Sequence, residues 1–228
     1  MIGTLCIVAT PIGNLEDITL RAIRTLKEVD FVFAEDTRTT GILFKKYEIS
    51  TKLISYNAHN QESKNKEILK ILQEGKSLAL VSDAGTPGIS DPGYSAVAYV
   101  RTHAPEAKIE PIPGASALTA FISAAGAGTH IWTFYGFLPH KNGRQKLLKQ
   151  MLESDKSSVF YESTHRILKC LQELDKLQSG SQEVRKVMIG REITKIYEEF
   201  LTGTPAELVK IFDAKPEKTK GEFVVMIM

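Results

Sequence analysis

Short apolar runs alternate with segments of helical periodicity through the first half of this chain, and no other feature limits the fold as much. Residues 5–9, 31–34, 52–56, 77–81 and 108–112 read as strands, and 17–28, 38–46, 62–74, 92–103 and 115–125 read as helices. In 17–28, Ile18, Ala22, Ile23 and Leu26 share one face; in 62–74, Ile68, Leu69, Ile71 and Leu72 recur at helical spacing before Gly75. Asp91-Pro92 reads as an N-cap followed by proline at the first helical position. This βαβα rhythm argues for a mostly parallel sheet, because parallel neighbours need a crossover between them.

Near Gly126-Ala127-Gly128-Thr129 the pattern changes. Strands are expected at 132–137, 157–161, 184–190, 196–201 and 221–227, with helices near 144–153, 164–176 and 204–213. The strands at 184–190 and 196–201 have no helix between them, so antiparallel pairing follows. The fold class expected is α/β with two domains: residues 1–126 with a mostly parallel sheet, and 127–228 with a mixed one. A hinge is expected at about 126–131.

At 228 residues, 43% apolar and 25% charged, the chain has the composition of a globular protein with ample core. No stretch approaches the roughly 18 to 20 apolar residues that cross a bilayer, so no membrane partner is expected. Met1-Ile2-Gly3-Thr4-Leu5 has no basic n-region, which argues against a secretory signal. Cys6 and Cys170 make neither a disulfide framework nor a metal cluster, and a cytoplasmic location fits them. The net charge of +2 is too small to diagnose a polyanion partner. Its distribution says more: Pro139-His140-Lys141-Asn142-Gly143-Arg144-Gln145-Lys146 carries no carboxylate. Lys141, Arg144 and Lys146 there are candidate phosphate contacts, against the alternative of a solvated loop opening an amphipathic helix.

Three of the apolar runs end in loops broken by glycine and proline: Thr10 to Asn14, Ser82 to Gly93, and Pro111 to Ser116. Loops at the carboxyl ends of parallel strands are where open α/β sheets bind small molecules. The chain has no G-x-x-x-x-G-K-[ST] and no G-x-G-x-x-G after the first strand, so the usual triphosphate and dinucleotide fingerprints are absent. The first loop runs into Asn14-Leu15-Glu16-Asp17, whose acidity disfavours a phosphate and tolerates a neutral or cationic ligand. Gly85, Gly88, Gly93, Pro87 and Pro92 make the middle loop turn sharply and let backbone groups approach a ligand.

Several segments carry a resemblance. Val8 to Thr19, Ala34-Glu35-Asp36-Thr37-Arg38, Val81 to Gly93, Pro111 to Ser116, Gly136-Phe137-Leu138-Pro139, Phe160 to Arg166, Gly190-Arg191-Glu192 and Lys220 to Phe223 are similar, in order, to the ribosomal RNA small-subunit methyltransferase I family. Strings as long as SDAGTPGISDPG and ATPIGNLEDIT are specific, and the match covers nearly the whole chain. The resemblance implies a tetrapyrrole-methylase-like fold with S-adenosylmethionine held between two α/β domains. It also implies a homodimer, and 2'-O-methylation of a cytidine ribose in the decoding region of 16S rRNA or of the small ribosomal subunit. Thr164 stands where proline is common in the family, and many members run on beyond the position of Met228.

By the same resemblance, Pro11, Asp83, Ala84, Gly85, Thr86, Pro87, Ser116 and Ala117 bind the donor from the first domain, and Tyr161 and Gly190 face them. Methyl transfer from a sulfonium needs alignment more than a metal, and none is expected. A ribose hydroxyl is a poor nucleophile, so a carboxylate that takes its proton would help. Glu35, Asp36, Glu162 and Glu192 are the candidates, each at a strand end. Asp36 can equally cap the 38–46 helix, and Glu162 and Glu192 can pair with Arg166 and Lys195. Arg38, Arg166 and Arg191 are candidate RNA-backbone contacts, since guanidinium forks match phosphate oxygens. Tyr56, His59 and Asn60 are candidates to stack on or bond to the target base, or else form a loop packed on its own polar groups. Two rival readings use the same fold: methylation of a tetrapyrrole or other small molecule, and a non-catalytic RNA-binding assembly factor. Donor binding tests the second, and the basic 139–149 segment weighs against the first.

Overall fold

The apolar runs of the first half become β1 (Thr4–Val8), β2 (Phe31–Ala34), β3 (Lys52–Ser55), β4 (Leu78–Val81) and β5 (Lys108–Ile112). They lie in the order β3-β2-β4-β1-β5, every pair parallel. The computed structural model describes residues 2–127 and 131–228. Its contacts divide the chain into two units, with the break between Ser116 and Ala117.

Both faces of the first sheet are covered, which is why its inner strands β2, β4 and β1 are largely apolar rather than alternating. Along β4, Leu78 and Leu80 face one layer while Ala79 and Val81 face the other. Helices α1 (Leu20–Glu28) and α2 (Thr37–Tyr47) pack on the Ala79 side through Ala22, Leu26, Leu43 and Phe44. Helices α3 (Gln61–Gln73) and α4 (Gly93–His103) pack on the Leu80 side through Ile68, Leu72, Ala96 and Val100. Adjacent strands β1 and β4 therefore send their chains to opposite faces. The gap between them is the switch point, where such sheets bind ligands.

Local chemistry sets the helix ends. The expected helix at 17–28 is split: Leu15–Asp17 is a 3₁₀ turn, and the Thr19 hydroxyl accepts the Ala22 N–H at 3.0 Å to start α1. The Asp36 side chain caps α2 by accepting the Arg38 N–H at 2.8 Å. Helix α4 begins at Gly93, one residue later than Asp91-Pro92 predicts. Asp91 instead folds the preceding loop, accepting from Gly93 N–H at 2.8 Å and Gly88 N–H at 2.9 Å.

The second unit opens with α5 (Ala117–Ala125) and contains β6 (Trp132–Phe137), α6 (Arg144–Glu153), β7 (Ser157–Ser163), α7 (Ile167–Gln178), β8 (Val187–Arg191), β9 (Glu199–Gly203), α8 (Pro205–Ala214) and β10 (Glu222–Ile227). Its sheet runs β6-β7-β10-β8-β9; β6 and β7 are parallel and the other pairs antiparallel. Helices α6, α7 and α8 cover one face, where Leu148, Leu171 and Phe212 meet Phe160, Ile189 and Val225. Helix α5 packs against β8 and β10, with Phe121 stacked on Phe200 at 6.1 Å. The segment that sequence periodicity attaches to the first domain thus sits on the second sheet. Of the expected hinge at 126–131, residues 128–130 lie outside the described residues.

Candidate functional site

The loops after β1, β4 and β5 meet at the carboxyl edge of the first sheet. Thr10 N–H donates to Gly85 O at 2.9 Å and Gly85 N–H donates back to Thr10 O at 3.0 Å. The Thr10 hydroxyl donates to Ser82 O at 3.1 Å, and the Thr86 hydroxyl donates to Ala115 O at 3.2 Å. Gly85 has φ +82°, a left-handed conformation that favours glycine, and a Cβ there would already touch Ile12 at 3.4 Å. Pro11, Gly85 and Pro87 are buried in this knot, Thr86 and Ser116 are half-buried, and Asp83 and Ala84 face solvent. The first-unit residues expected to hold a donor are therefore brought together.

Carboxylates crowd the same edge. Asp83 Oδ1 accepts the Asp36 N–H at 2.8 Å, and the Asp83 N–H points at Glu35 Oε2 at a long 3.5 Å. Burial and the neighbouring charge of Asp83, helped by Asp91 and Asp36, push the Glu35 carboxyl above its ordinary pKa. Asp36 goes the other way, to about 2, because the Arg38 side chain bonds it at 2.6 Å and it also caps α2. The environments of these two adjacent carboxyls thus shift them in opposite directions.

The other two carboxylate candidates are committed to structure. Glu162 has a fully buried side chain, held by Arg144 Nη2 and Arg166 Nε at 2.8 Å each and by the Ser163 N–H at 2.9 Å. Arg144 Nε continues the network to Glu173 at 2.8 Å. Glu192, at φ 49°, receives Lys195 Nζ at 2.9 Å and the Glu222 N–H at 2.8 Å. Burial raises its carboxyl, but those two donors outweigh burial and its pKa falls.

Of the expected RNA contacts, Arg144 is corrected, and Arg166 and Arg191 have partners within the second unit. Arg144 is only 4% exposed, in the interior of the second unit, so its guanidinium meets carboxylates and not a phosphate. Arg166 spends its donors on Glu162, Ser163 Oγ and Leu138 O. Arg191 holds Lys220 O at 2.9 Å and Tyr197 O at 3.1 Å. Lys141 and Lys146 are exposed, as is Arg38 beyond its bond to Asp36.

Gly190 has a packing reason of its own: a Cβ there would lie 2.6 Å from the Phe121 ring. Tyr161 is half-buried, edge-on to Phe134 at 5.0 Å, and burial pushes its phenol pKa up against a backbone hydrogen bond with Leu118. Ala117 begins α5. In the 56–60 turn, Tyr56 is buried and Asn60 bonds back to Asn57 N–H and Ser55 O, leaving His59 exposed. Among the described residues Tyr94, which sequence reading passes over, is an exposed aromatic ring, as are Phe137 and Tyr197. Helical spacing flags it: Gly93, Ala96 and Val100 form the buried stripe of α4, and Tyr94 lies off it.

Residues 4–209 match the profile of the family described as Tetrapyrrole (Corrin/Porphyrin) Methylases. Ribosomal RNA small subunit methyltransferase I of Thermotoga maritima is 44% identical over 225 residues, spanning 99% of this chain and 98% of that protein. Its namesake in Halalkalibacterium halodurans is 46% identical over 226 residues, spanning 99% of this chain and 75% of that protein. Uroporphyrin-III C-methyl transferase from Thermus thermophilus, solved in complex with S-adenyl homocysteine, has a TM-score of 0.66 at 17% identity, covering 98% of this chain and 97% of that one. At that identity the likeness concerns the fold.

Proposed function

We propose that this chain, which belongs to the tetrapyrrole methylase family and within it to the ribosomal RNA small-subunit methyltransferase I family, is an S-adenosylmethionine-dependent enzyme that methylates the 2'-hydroxyl of a cytidine ribose in the decoding region of 16S rRNA. The observation that carries the reading is the reciprocal pairing of Thr10 with Gly85 at the switch point. It draws the long specific loops into one edge, as a shared small-molecule site requires.

The residues of that edge fit the donor. S-adenosylmethionine supplies an electrophilic methyl group on a sulfonium. Asp83 keeps a solvent-facing carboxylate for ribose hydroxyls, while its Oδ1 also orders the start of α2. Pro11 and Pro87 form an apolar wall that holds no competing hydrogen bond donors on its rings, and the backbone of residues 84–87 offers polar groups close in. The surrounding carboxylates favour a cation and disfavour a free phosphate. Glu35 takes the proton of the incoming ribose hydroxyl, because its pKa is raised and it has no cationic partner in the described contacts, whereas Asp36, Glu162 and Glu192 are each paired with a cation. Alignment supplies the larger share of the acceleration. Lys141, Lys146 and Arg38 meet phosphates at the periphery. The protein acts in the cytoplasm on the small subunit or its rRNA, as a homodimer.

Incubation with small ribosomal subunits and methyl-labelled donor tests the reading. Label is expected in one nucleotide of 16S rRNA, and the adjoining phosphodiester becomes resistant to alkali because its 2'-oxygen can no longer attack. Label in a base, or only in a tetrapyrrole, overturns it.

A further inference from the structure

The edge strand β6 ends in a bulge that turns one ring outward. Phe134 stands opposite Val159 and Phe137 opposite Tyr161, so three steps along β6 match two along β7. Gly136 takes up the extra residue at φ +63°, a left-handed conformation that favours glycine. Strict alternation would put Phe137 on the face of Tyr135, which packs into the core shared with α6, α7 and α8. The bulge puts it on the face of Phe134 instead. Phe134 and Phe137 both meet the Tyr161 ring, at 5.0 and 5.4 Å between centroids, and Phe137 stays 54% exposed. An apolar ring is thus diverted from the core face to the surface and propped there by a second ring.

The chain around this ring is cleared of negative charge. Residues 111–152 contain no Asp or Glu. Glu162, which follows Tyr161, is fully buried against Arg144 and Arg166. Glu222 stands opposite Ser163 in β10, and Lys195 Nζ holds it at 2.8 Å. Cations are left over: Lys141 and Lys146 are exposed, with no carboxylate bonded to either among the described contacts. Lys141 follows Phe137 by four residues, so their Cα atoms are at most about 14 Å apart. The turn between them is fixed, because Arg166 Nη1 donates to Leu138 O at 2.9 Å and the Arg144 N–H donates to Lys141 O at 3.3 Å. Lys146 lies in the first turn of α6, which holds no acidic residue and whose N-cap, Gly143, makes no side-chain bond.

Ring and cations together narrow the occupant. A free phosphate or a duplex backbone satisfies the lysines and leaves the ring unused. An apolar surface covers the ring and leaves two lysines without counter-charge. Single-stranded RNA satisfies both, since its bases are free to stack while its phosphates run alongside. We infer that the carboxyl end of β6 is a single-strand platform, with an unpaired base stacked on Phe137 and adjoining phosphates paired with Lys141 and Lys146. This rests on the functional reading above and adds to it the strandedness of the RNA. The phenyl ring has no hydrogen-bonding group, so the platform accepts any base and supplies affinity rather than sequence choice.

The test uses the full chain in anisotropy titrations with a labelled single-stranded RNA of mixed sequence and with the same strand in a duplex. Wild type is expected to bind the single strand more tightly. Phe137→Ala should weaken that binding roughly ten-fold, in the range for one lost stack, with the salt slope and the duplex affinity unchanged. Phe137→Trp keeps a stacking face and should retain wild-type affinity. Phe137→Leu keeps only apolar bulk and should fall with alanine; matching thermal melts show each variant folded. Unaltered single-strand affinity in Phe137→Ala, equal loss on both RNAs, or full retention in Phe137→Leu overturns the platform. So does a wild type that binds no single strand, or an acidic aromatic peptide that needs Phe137 when RNA does not. Label in 16S rRNA judges the methyltransferase reading separately. Labelled subunits with any of those results remove the platform alone, and unlabelled subunits with the expected affinities remove that reading and leave an RNA-binding protein.

Discussion

Thr10 and Gly85 exchange both backbone hydrogen bonds, at 2.9 and 3.0 Å, and so tie the loop after β1 to the loop after β4. Gly85→Ala puts a side chain at φ +82° and against Ile12. It should destabilise the first unit by about 1–2 kcal/mol in urea titrations. It should also weaken donor binding more than a surface Gly→Ala control such as Gly41→Ala, whose added methyl meets nothing within 4 Å.

Glu35→Gln should lower kcat by about 10²–10⁴-fold with donor affinity retained, as expected for loss of a proton acceptor. The wild-type rate should rise with pH through a pKa higher than that of an ordinary glutamate, a limb the variant lacks. Linkage gives a second sign. A carboxyl whose folded-state pKa lies above its unfolded value loses native stability as pH rises and it ionises. Glu35→Gln should therefore be more stable than wild type at pH 7 and no more stable at acid pH, where both side chains are uncharged; thermal melts across pH read this directly.

The buried chain Glu173–Arg144–Glu162–Arg166 sets a different expectation. Arg144→Ala leaves Glu162 with one of its cations gone and should cost about 3–5 kcal/mol. Arg144→Met with Glu162→Leu should recover only part of that, because Glu173 and Arg166 lose their partners in turn. Urea denaturation followed through Trp132, in β6 of the same unit, is the measurement. RNA affinity at full folding should be unchanged by either.

Gly190→Ala should cost about 1–3 kcal/mol by overpacking against Phe121. Adding Phe121→Leu should return most of the stability. If donor affinity also returns in the pair, Gly190 acts through packing; a loss that persists marks direct donor contact.

Lys141→Ala and Lys146→Ala should each weaken RNA binding and reduce the salt slope of log K by about one, with donor binding intact. Anisotropy titrations at several salt concentrations decide this. An unchanged slope would return the 139–149 segment to a plain solvated helix start.

The parallel sheet was readable because both faces of β1, β2 and β4 are covered, so apolar runs such as Leu78 to Val81 stand out without alternation. The convergence of three loops was readable too, since glycine and proline mark where the chain turns at strand ends. Helix starts were less so: Thr19 and Asp91 each have a side-chain bond that moves the boundary, and only geometry shows which N–H they take. The fate of Arg144 was hidden, because Glu162 and Glu173 lie 18 and 29 residues away in the chain and the basic segment looks solvated when read locally. The burial of Tyr56 was hidden for a related reason. It follows β3 directly and precedes a polar turn, and its hydroxyl bonds to Asn65 and Pro92 are made 9 and 36 residues along the chain.

The most direct measurement is calorimetric titration of S-adenosylmethionine into wild type and Asp83→Ala. A single site of micromolar or tighter affinity in wild type, weakened at least ten-fold in a folded Asp83→Ala by loss of a charged hydrogen-bond acceptor, is the expected result. No heat and no thermal shift at saturating donor, or equal affinity in the two proteins, would contradict a donor site at the edge where Thr10 meets Gly85.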